Sequence, residues 1–197
     1  MGREDQKMRS DGVRQAILDT ALEIGLQEGF EAISVRKIIN KMKYSTGVVY
    51  HYFNDKQEII DALEEAETEK FRGTVSSLLD ETKDSAHNVT TVFHRIMRLA
   101  LEEPEKYNLI VMHKYARSNP RPPMWLSFMA ENLKRDMEAG IVRHLDAEKA
   151  AFTIWSSFVG FNLMISRLPD LSEEEAELMF KTQSDIILKG IINHESN

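Results

Sequence analysis

Apolar side chains near the N-terminus recur at the spacing of an α-helix. Four of them fall at i, i+3, i+4 and i+7, which places them on one helical face. They are Val35, Ile38, Ile39 and Met42. Ser34 precedes this face as a candidate N-cap. The pattern predicts a short helix over 35–42.

A second short helix is predicted directly after a tight turn at Lys43 and Tyr44. Ser45 is the candidate N-cap, and the helix continues through TGVVYHYF. Val49 and Phe53 are four residues apart and are expected to face inward. The side chains on the opposite face of this helix must then point outward. They are Thr46, Gly47, Tyr50 and His51. Because adjacent valines are weak helix formers, packing must hold this helix.

The charge of this stretch differs from that of the whole chain. Residues 34–56 contain five cationic side chains and one anionic side chain, whereas the 197-residue chain has a net charge of −7. A local basic patch of this kind suits phosphate. The hydroxyl and imidazole donors of Tyr50, His51 and Tyr52 lie among these cations, as contacts to a DNA backbone require. Gly47 lets the helix approach closely. The pattern indicates a helix-turn-helix.

The block from Ile33 to Ile60, ISVRKIINKMKYSTGVVYHYFNDKQEII, resembles the TetR family of transcriptional regulators. The resemblance is carried by S-x-G-x-x-Y-x-Y-F, by the following N-D-K-x-x-I and by the preceding QEGFEAIS. Two departures are Tyr44, at a turn position that is often small and apolar, and Val49, in place of a common leucine. The resemblance implies a DNA-binding domain over 11–71 with its motif at 34–53. The DNA-binding residues that it implies are Arg36, Lys37, Ser45, Thr46, Gly47, Tyr50, His51, Tyr52 and Lys56.

The same residues have a simpler interpretation as a small three-helix core. In that interpretation the lysines are merely solvated and the tyrosines merely pack. Two observations favour the DNA-binding interpretation: the cations cluster beside outward aromatic side chains, and the resemblance extends in order along the whole motif.

The rest of the chain also predicts helices. A first helix is expected from a cap at Ser10 or Asp11 to Glu28, after a charged arm at 1–9. Asp55 and Glu58 predict the start of a long fourth helix reaching about Val75, with its glutamates at 64–69 on a solvated face. All five prolines fall beyond residue 103 and punctuate the second half. Helices are predicted over 88–102, 104–117, 123–139, 147–167 and 173–193, the third closed by Gly140 and the last capped by Ser172 and Glu175. The fold class is therefore all-α, with about nine helices.

Composition excludes several classes of protein. The chain has no cysteine, which excludes disulfides and thiolate chemistry and fits a cytoplasmic location. The most apolar run, 150–165, is shorter than the roughly 20 residues of a membrane span. No nucleophile elbow, phosphate loop or metalloprotease motif occurs, and the histidines are scattered, so no enzyme, cofactor or metal site is expected.

The resemblance also implies that the region 72–197 dimerises and encloses a ligand. The predicted helix 147–167 is apolar nearly all round, so it needs partners on two sides. The candidate dimer residues are Ala151, Phe158, Leu178, Ile186 and Ile187. Candidate ligand residues are the Met and aromatic side chains of the C-terminal helices together with a few polar ones, although such stripes are more often core. They are Phe93, His94, Met97, Met112, His113, Trp125, Phe128, Met129, Trp155, Phe161 and Asn162.

These observations together indicate a homodimeric repressor that binds a palindromic operator in double-stranded DNA and is released by a small, apolar or aromatic effector. Two alternatives remain. One is a small-molecule or lipid-binding protein of the same fold that does not bind DNA. The other is a constitutive DNA-binding regulator without an effector. The sequence does not distinguish an activator from a repressor.

Overall fold

The structure is a computed structural model that describes residues 3–80, 82–83, 85–113 and 124–192. These residues form nine α-helices and no β-strand, so the predicted all-α class is confirmed. The helices are α1 (Arg3–Glu28), α2 (Val35–Met42), α3 (Thr46–Tyr52), α4 (Lys56–Ser76), α5 (Ser85–Glu102), α6 (Pro104–Tyr107), α7 (Met124–Glu138), α8 (Ala147–Ile165) and α9 (Glu173–Ile191). A 3-10 turn, Phe30–Ala32, follows α1, and a π-helical turn, Asn108–Met112, follows α6.

The chain divides into two compact units. The N-terminal unit contains the described residues up to 73 and residues 105–113, and the C-terminal unit contains the described residues of 74–104 and 124–192. The N-terminal core joins α1, α2, α3 and the first half of α4. Its buried members are Ile17, Leu18, Ala21, Ile24, Ile33, Ile38, Val49, Phe53, Ile59, Ile60, Leu63 and Leu109.

Two expectations about the N-terminal unit are wrong. Helix α1 begins at Arg3, so Ser10 and Asp11 lie inside it and do not cap it. No proline interrupts residues 3–10, and a single glycine at position 12 costs a helix only about 1 kcal/mol. Glu67 of α4 is buried and not on a solvated face. Its carboxylate lies 2.6 Å from Lys70 Nζ and 3.7 Å from Lys106 Nζ, and burial of the charge is tolerated because it is paired.

The segment after Pro104 also differs from the predicted regular helix over 104–117. Only four residues are α-helical before the chain widens into the π-helical turn. Tyr107, Leu109, Ile110 and Val111 are buried, and Leu109 joins the N-terminal core. A π-helical turn shifts the following side chains around the helix axis, and local helix-forming propensity does not reveal such a shift. Residues 114–117 of the predicted helix lie outside the described residues.

In the C-terminal unit, α5, α7, α8 and α9 bury their apolar faces against one another. The rings of Phe93 on α5 and Phe158 on α8 are stacked with centroids 3.8 Å apart, and Trp155 is tilted against Phe93 at 6.1 Å. Between α5 and α9, the Nε2 atom of His94 lies 2.9 Å from both carboxylate oxygens of Glu177. Aromatic packing and several polar contacts, including the ion pair of Arg98 with Glu173, therefore join the three helices.

The predicted caps at Ser34 and Ser172 are confirmed, whereas the side chain of Ser45, the N-cap residue of α3, makes no capping hydrogen bond. Ser34 Oγ accepts a hydrogen bond from the amide of Lys37 at the start of α2. Ser172 and Glu175 form a reciprocal capping box on α9, and the hydrogen bonds from Ser172 lower the pKa of the Glu175 carboxyl. At α4, Asp55 accepts from the amide of Glu58, as predicted, but the Glu58 carboxylate accepts from the backbone amide of Asn54 instead of completing a box with Asp55.

We predict opposite effects of an added methyl group at two glycines of α1. A Cβ at Gly25 would lie 2.5 Å from Cε1 of Phe30, whereas a Cβ at Gly12 would have no atom within 4 Å. Gly12→Ala should therefore raise the free energy of unfolding by up to about 1 kcal/mol through helix propensity. Gly25→Ala should lower it, because the Phe30 ring must move. Urea denaturation measures both, and equal stabilisation by the two variants would contradict the close packing of Phe30 on α1.

Candidate nucleic-acid interface

Helix α3 is held by its inner face. Val49 and Phe53 are 0% and 2% exposed, as predicted, and both lie in the N-terminal core. The guanidinium carbon of Arg14 on α1 lies 5.0 Å from the centre of the Phe53 ring. The Phe53 amide also donates to the carbonyl of Val49 at 3.0 Å and closes the helix. Since α3 has only seven residues, these tertiary contacts and not its own hydrogen bonds must hold it.

The opposite face of α3 is exposed. Ser45, Thr46, Gly47, Tyr50 and His51 are all exposed, and Tyr50 keeps 53% of its surface. A Cβ at Gly47 would meet no atom nearer than Ser45 Oγ at 4.0 Å, so this part of the helix can lie close to another molecule. The face offers hydroxyl and imidazole groups on a rigid support.

Tyr52 is placed between the two faces. Its ring is partly buried against the N-terminal core and stands edge-on to the His51 ring, with centroids 4.9 Å apart. This contact restricts the His51 imidazole. Tyr52 therefore packs against the core and also lies beside the exposed face. Helical periodicity alone could not show that one residue has both positions.

Several cations near the motif are already paired within the unit. Lys37 Nζ lies 2.7 Å from a Glu28 carboxylate oxygen, and Lys41 Nζ lies 2.7 Å from one of Glu23. These are exposed pairs, which contribute at most about 1 kcal/mol each, so a phosphate can compete for the same lysines. Arg36 is exposed and makes no ion pair with any described side chain. Arg36 and the exposed Lys43 are the motif cations that a phosphate could contact without breaking an ion pair to a described residue.

Lys56 has a structural contact that the sequence did not predict. Its Nζ donates to the backbone carbonyl of Glu31 at 2.6 Å and lies 3.9 Å from the Glu31 carboxylate. The side chain therefore ties the first turn of α4 to the 3-10 turn after α1. At the start of this 21-residue helix, the backbone amide of Lys56 is the group directed towards an incoming anion.

Two residues of the turn between α2 and α3 were missing from the predicted interface. Tyr44 is 40% exposed, and Lys43 adopts the left-handed backbone conformation with φ 58°. Both are adjacent to the exposed face of α3. The available signal was the brevity of the turn, because a two-residue connection must place its side chains beside the start of the next helix.

Most of the predicted ligand residues do not surround a cavity. Phe93, Met97 and Trp155 are buried core residues, and Asn162 is fully buried with no hydrogen-bond partner for its amide among the described residues. His94 is occupied by Glu177. Met112 and His113 belong to the N-terminal unit and not to the C-terminal one. Phe128 is 58% exposed, Trp125 is half-buried, and Phe161 lines an open groove.

One cavity of about 150 Å³ does lie inside the C-terminal unit. Of the predicted ligand residues, only Met129 lines it. The wall is mainly apolar, with Asn132 and Asp136 as its polar members. The other lining residues are Ala86, Val89, Leu133, Ile141, Val142, Ile154, Leu188, Ile191 and Ile192. Sequence periodicity could not find this site, because its aliphatic residues look like ordinary core.

The predicted dimer residues fall into two groups. Ala151 and Phe158 are 1% and 3% exposed, and Phe158 stacks on Phe93 of α5. Their assignment to a dimer surface stays a prediction. Leu178 and Ile186 of α9 are 65% and 67% exposed, and with Ile187 and Phe161 they line the open groove along α8 and α9. No helix in the described part of the chain is long and apolar enough to cross a membrane.

Comparison with known proteins matches the N-terminal unit to one family. Residues 17–63 match the family described as "Bacterial regulatory proteins, tetR family". The regulator YvkB of Bacillus subtilis, described as an uncharacterized HTH-type transcriptional regulator, is 24% identical over 187 residues, which is 89% of this chain and 95% of that protein. The nicotine-responsive repressor HdnoR of Paenarthrobacter nicotinovorans is 28% identical over 112 residues, covering 54% of this chain and 56% of the relative.

A solved structure extends the similarity in fold. The crystal structure of AibR in complex with isovaleryl coenzyme A and operator DNA superposes with a TM-score of 0.65, at 21% identity, over 86% of this chain and 97% of AibR. The helix-turn-helix, its exposed second helix and the following helical domain define a transcriptional regulator. The resemblance seen in the motif is confirmed, because residues 17–63 match the model of the TetR family.

We predict that Phe158 contributes to the stability of the protomer. Phe158→Ala should lower the free energy of unfolding by about 3–5 kcal/mol, because it opens a cavity beside Phe93. Phe128→Ala is the matched control on an exposed phenylalanine and should change stability by less than about 0.5 kcal/mol. Guanidinium denaturation at fixed protein concentration provides the comparison. A small effect at Phe158 would mean that the aromatic stack does not hold α5 against α8.

Proposed function

We propose that the protein is a homodimeric, ligand-responsive transcriptional repressor that binds a palindromic operator. The observation that carries this proposal is the α3 helix, whose apolar face is anchored in a core while Thr46, Gly47, Tyr50 and His51 stand exposed. A seven-residue helix held in this way is a surface presented for recognition. We propose residues 11–71 as the DNA-binding domain and 72–197 as the regulatory and dimerisation domain.

The proposed contacts to DNA fall into two kinds. Thr46 and His51 lie on the exposed face of α3 and are assigned to the edges of bases in the major groove. The remaining residues are assigned to the phosphate backbone, where side-chain and amide donors position the protein. They are Arg36, Lys37, Ser45, Tyr50, Tyr52 and the amide of Lys56. Gly47 allows the helix to approach closely. The ion pair between Lys37 and Glu28 would open when a phosphate replaces the carboxylate.

Dimerisation is proposed through the exposed faces of α8 and α9. Five large apolar side chains on these two helices keep 43–70% of their surface exposed: Phe152, Met164, Leu178, Met179 and Ile186. An exposed apolar surface of this kind marks an interaction site. A two-fold partner would cover it, and it would give the two DNA-binding domains the symmetry of a palindrome. Gly160, with no atom within 4 Å of an added Cβ, leaves room for close approach of the partner's helix.

The effector is proposed to enter the C-terminal cavity. Its apolar wall, with Asn132 and Asp136 to orient a ligand, suits a small apolar or aromatic molecule. The cavity volume of about 150 Å³ is that of a benzene-sized compound. HdnoR is described as nicotine-responsive, and AibR was solved with both an acyl coenzyme A and its operator. These relatives support control of DNA binding by a small molecule.

The size of the cavity also favours a second candidate function. Ligand pockets usually have volumes of about 300–1,000 Å³, so a volume of about 150 Å³ also fits a constitutive DNA-binding regulator whose cavity is a packing defect. Titration with benzene-sized compounds, with and without operator DNA, separates the two functions. An effector must bind free protein and operator-bound protein with different affinities, by roughly 5- to 150-fold. Equal affinities would support the constitutive regulator.

We predict that Arg36 contributes one phosphate contact. Operator fragments selected from random DNA should bind with an affinity that falls steeply between about 50 and 200 mM salt. Arg36→Gln should weaken binding on all sequences and reduce the slope of log K against log salt by about one. The control is Arg143→Gln, which removes an exposed arginine of the C-terminal unit and should leave the slope unchanged. A salt-independent affinity in the wild type would reject the DNA-binding proposal.

We predict that Leu178→Glu dissociates the dimer. The substitution places a charge where the partner would bury an apolar side chain, and a buried unpaired charge is strongly unfavourable. Leu26→Glu is the matched control, since Leu26 is an exposed leucine on α1. Light scattering at micromolar concentration should give a dimer for the wild type and the control, and a monomer for Leu178→Glu. A monomeric wild type would contradict the proposed interface.

A further inference from the structure

Three potential metal ligands converge in the N-terminal unit, away from the exposed face of α3. Asp61 and Glu64 are three residues apart on α4 and therefore lie on one side of the helix. His113 directly follows the π-helical turn and approaches the same side. Its Nε2 lies 3.6 Å from Asp61 Oδ1, and the ligand atoms of the three residues all lie within 4.8 Å of one another.

These separations suit one bound ion. Zn²⁺ lies about 2.0–2.2 Å from histidine nitrogen and carboxylate oxygen, so two of its ligand atoms in tetrahedral geometry are about 3.4 Å apart. The distance of 3.6 Å between His113 and Asp61 is already close to this value.

A neighbouring amide donates into the cluster. Gln57 Nε2 donates to Asp61 Oδ1 at 2.9 Å and lies 3.3 Å from His113 Nε2. An amide nitrogen is only a donor, so the second contact is favourable when His113 Nε2 carries its lone pair and accepts. The carboxylate and the imidazole lone pair therefore both contact the same amide nitrogen. A cation bound to the cluster would occupy the position of this nitrogen.

We propose that Asp61, Glu64 and His113 bind one divalent transition-metal ion. An imidazole with carboxylates suits ions such as Zn²⁺, and the imidazole disfavours Mg²⁺, which prefers an all-oxygen set. Three protein ligands leave one position for water. The relevant side chains of His113 and Asp61 keep 19% and 41% of their surface exposed, so an ion can enter from solvent.

The π-helical turn is what brings the histidine to the carboxylates. A turn of this type inside or after an α-helix redirects the side chains that follow it and is often found at functional sites. His113 is separated from Glu64 by 48 intervening residues, so no motif spacing could indicate the cluster. The consequence of binding is mechanical: an ion would link α4, five residues after its start at Lys56, to the segment 108–113 within the same unit.

The test is direct titration of the full-length chain, without a polyhistidine tag, with ZnCl₂ in an isothermal calorimeter. We expect one ion per chain and no binding of Mg²⁺ at the same concentrations. His113→Gln and Asp61→Asn should each weaken Zn²⁺ binding by at least about tenfold. His144→Gln, which removes an exposed histidine of the C-terminal unit, should bind as the wild type does. Absence of binding to the wild type, or equal affinity in His113→Gln, would overturn the proposal.

A second measurement tests whether the variants keep the fold. Circular dichroism without metal should show the same helix content in the wild type and in His113→Gln. With Co²⁺ in place of Zn²⁺, the wild type should gain the visible ligand-field absorption of a site with nitrogen and oxygen ligands, and His113→Gln should not. A folded His113→Gln variant with the wild-type Co²⁺ spectrum would exclude His113 as a ligand.

Discussion

The burial of Val49 and Phe53 is the constraint on which the DNA-binding unit depends. Helices as short as α3 do not form stably in water, and its two adjacent valines make it weaker still. Tertiary packing must therefore supply its stability, and the cation-π contact of Arg14 with Phe53 adds to it. The outward side chains need not stabilise the helix, and their identities are left free for recognition.

The same motif shows how a basic patch can exist in an acidic protein. Lys37, Lys41 and Lys56 each have a glutamate or a carbonyl of the preceding segment within reach. These contacts hold the lysines in place while the protein is free, and surface ion pairs are weak enough to be exchanged for phosphate. The acidic residues of α1 thus limit non-specific attraction to DNA, and Arg36 and Lys43 remain as motif cations that make no ion pair with a described side chain.

Local patterns predicted the elements and failed at long-range contacts. The bounds of α2, the inward Val49 and Phe53, and the caps at Ser34 and Ser172 all follow from spacing over a few residues. The π-helical turn, the burial of Glu67 and the convergence of His113 on α4 depend on residues far apart in the chain. The ligand and dimer assignments stay predictions for a related reason: an apolar side chain such as Phe158 or Met97 has the same periodicity whether it faces a core, a cavity or a partner.

Leu109 has a consequence for how this family can be recombined. A side chain from beyond Pro104 completes the core that carries the helix-turn-helix, so the N-terminal unit is not contiguous along the chain. Exchange of the first 73 residues between two relatives would transplant a motif without one of its own core residues. A chimeric regulator would therefore have a packing mismatch in this core unless the 105–113 segment is exchanged together with the motif. The sequence of the DNA-binding surface is thus constrained by a segment that lies outside it.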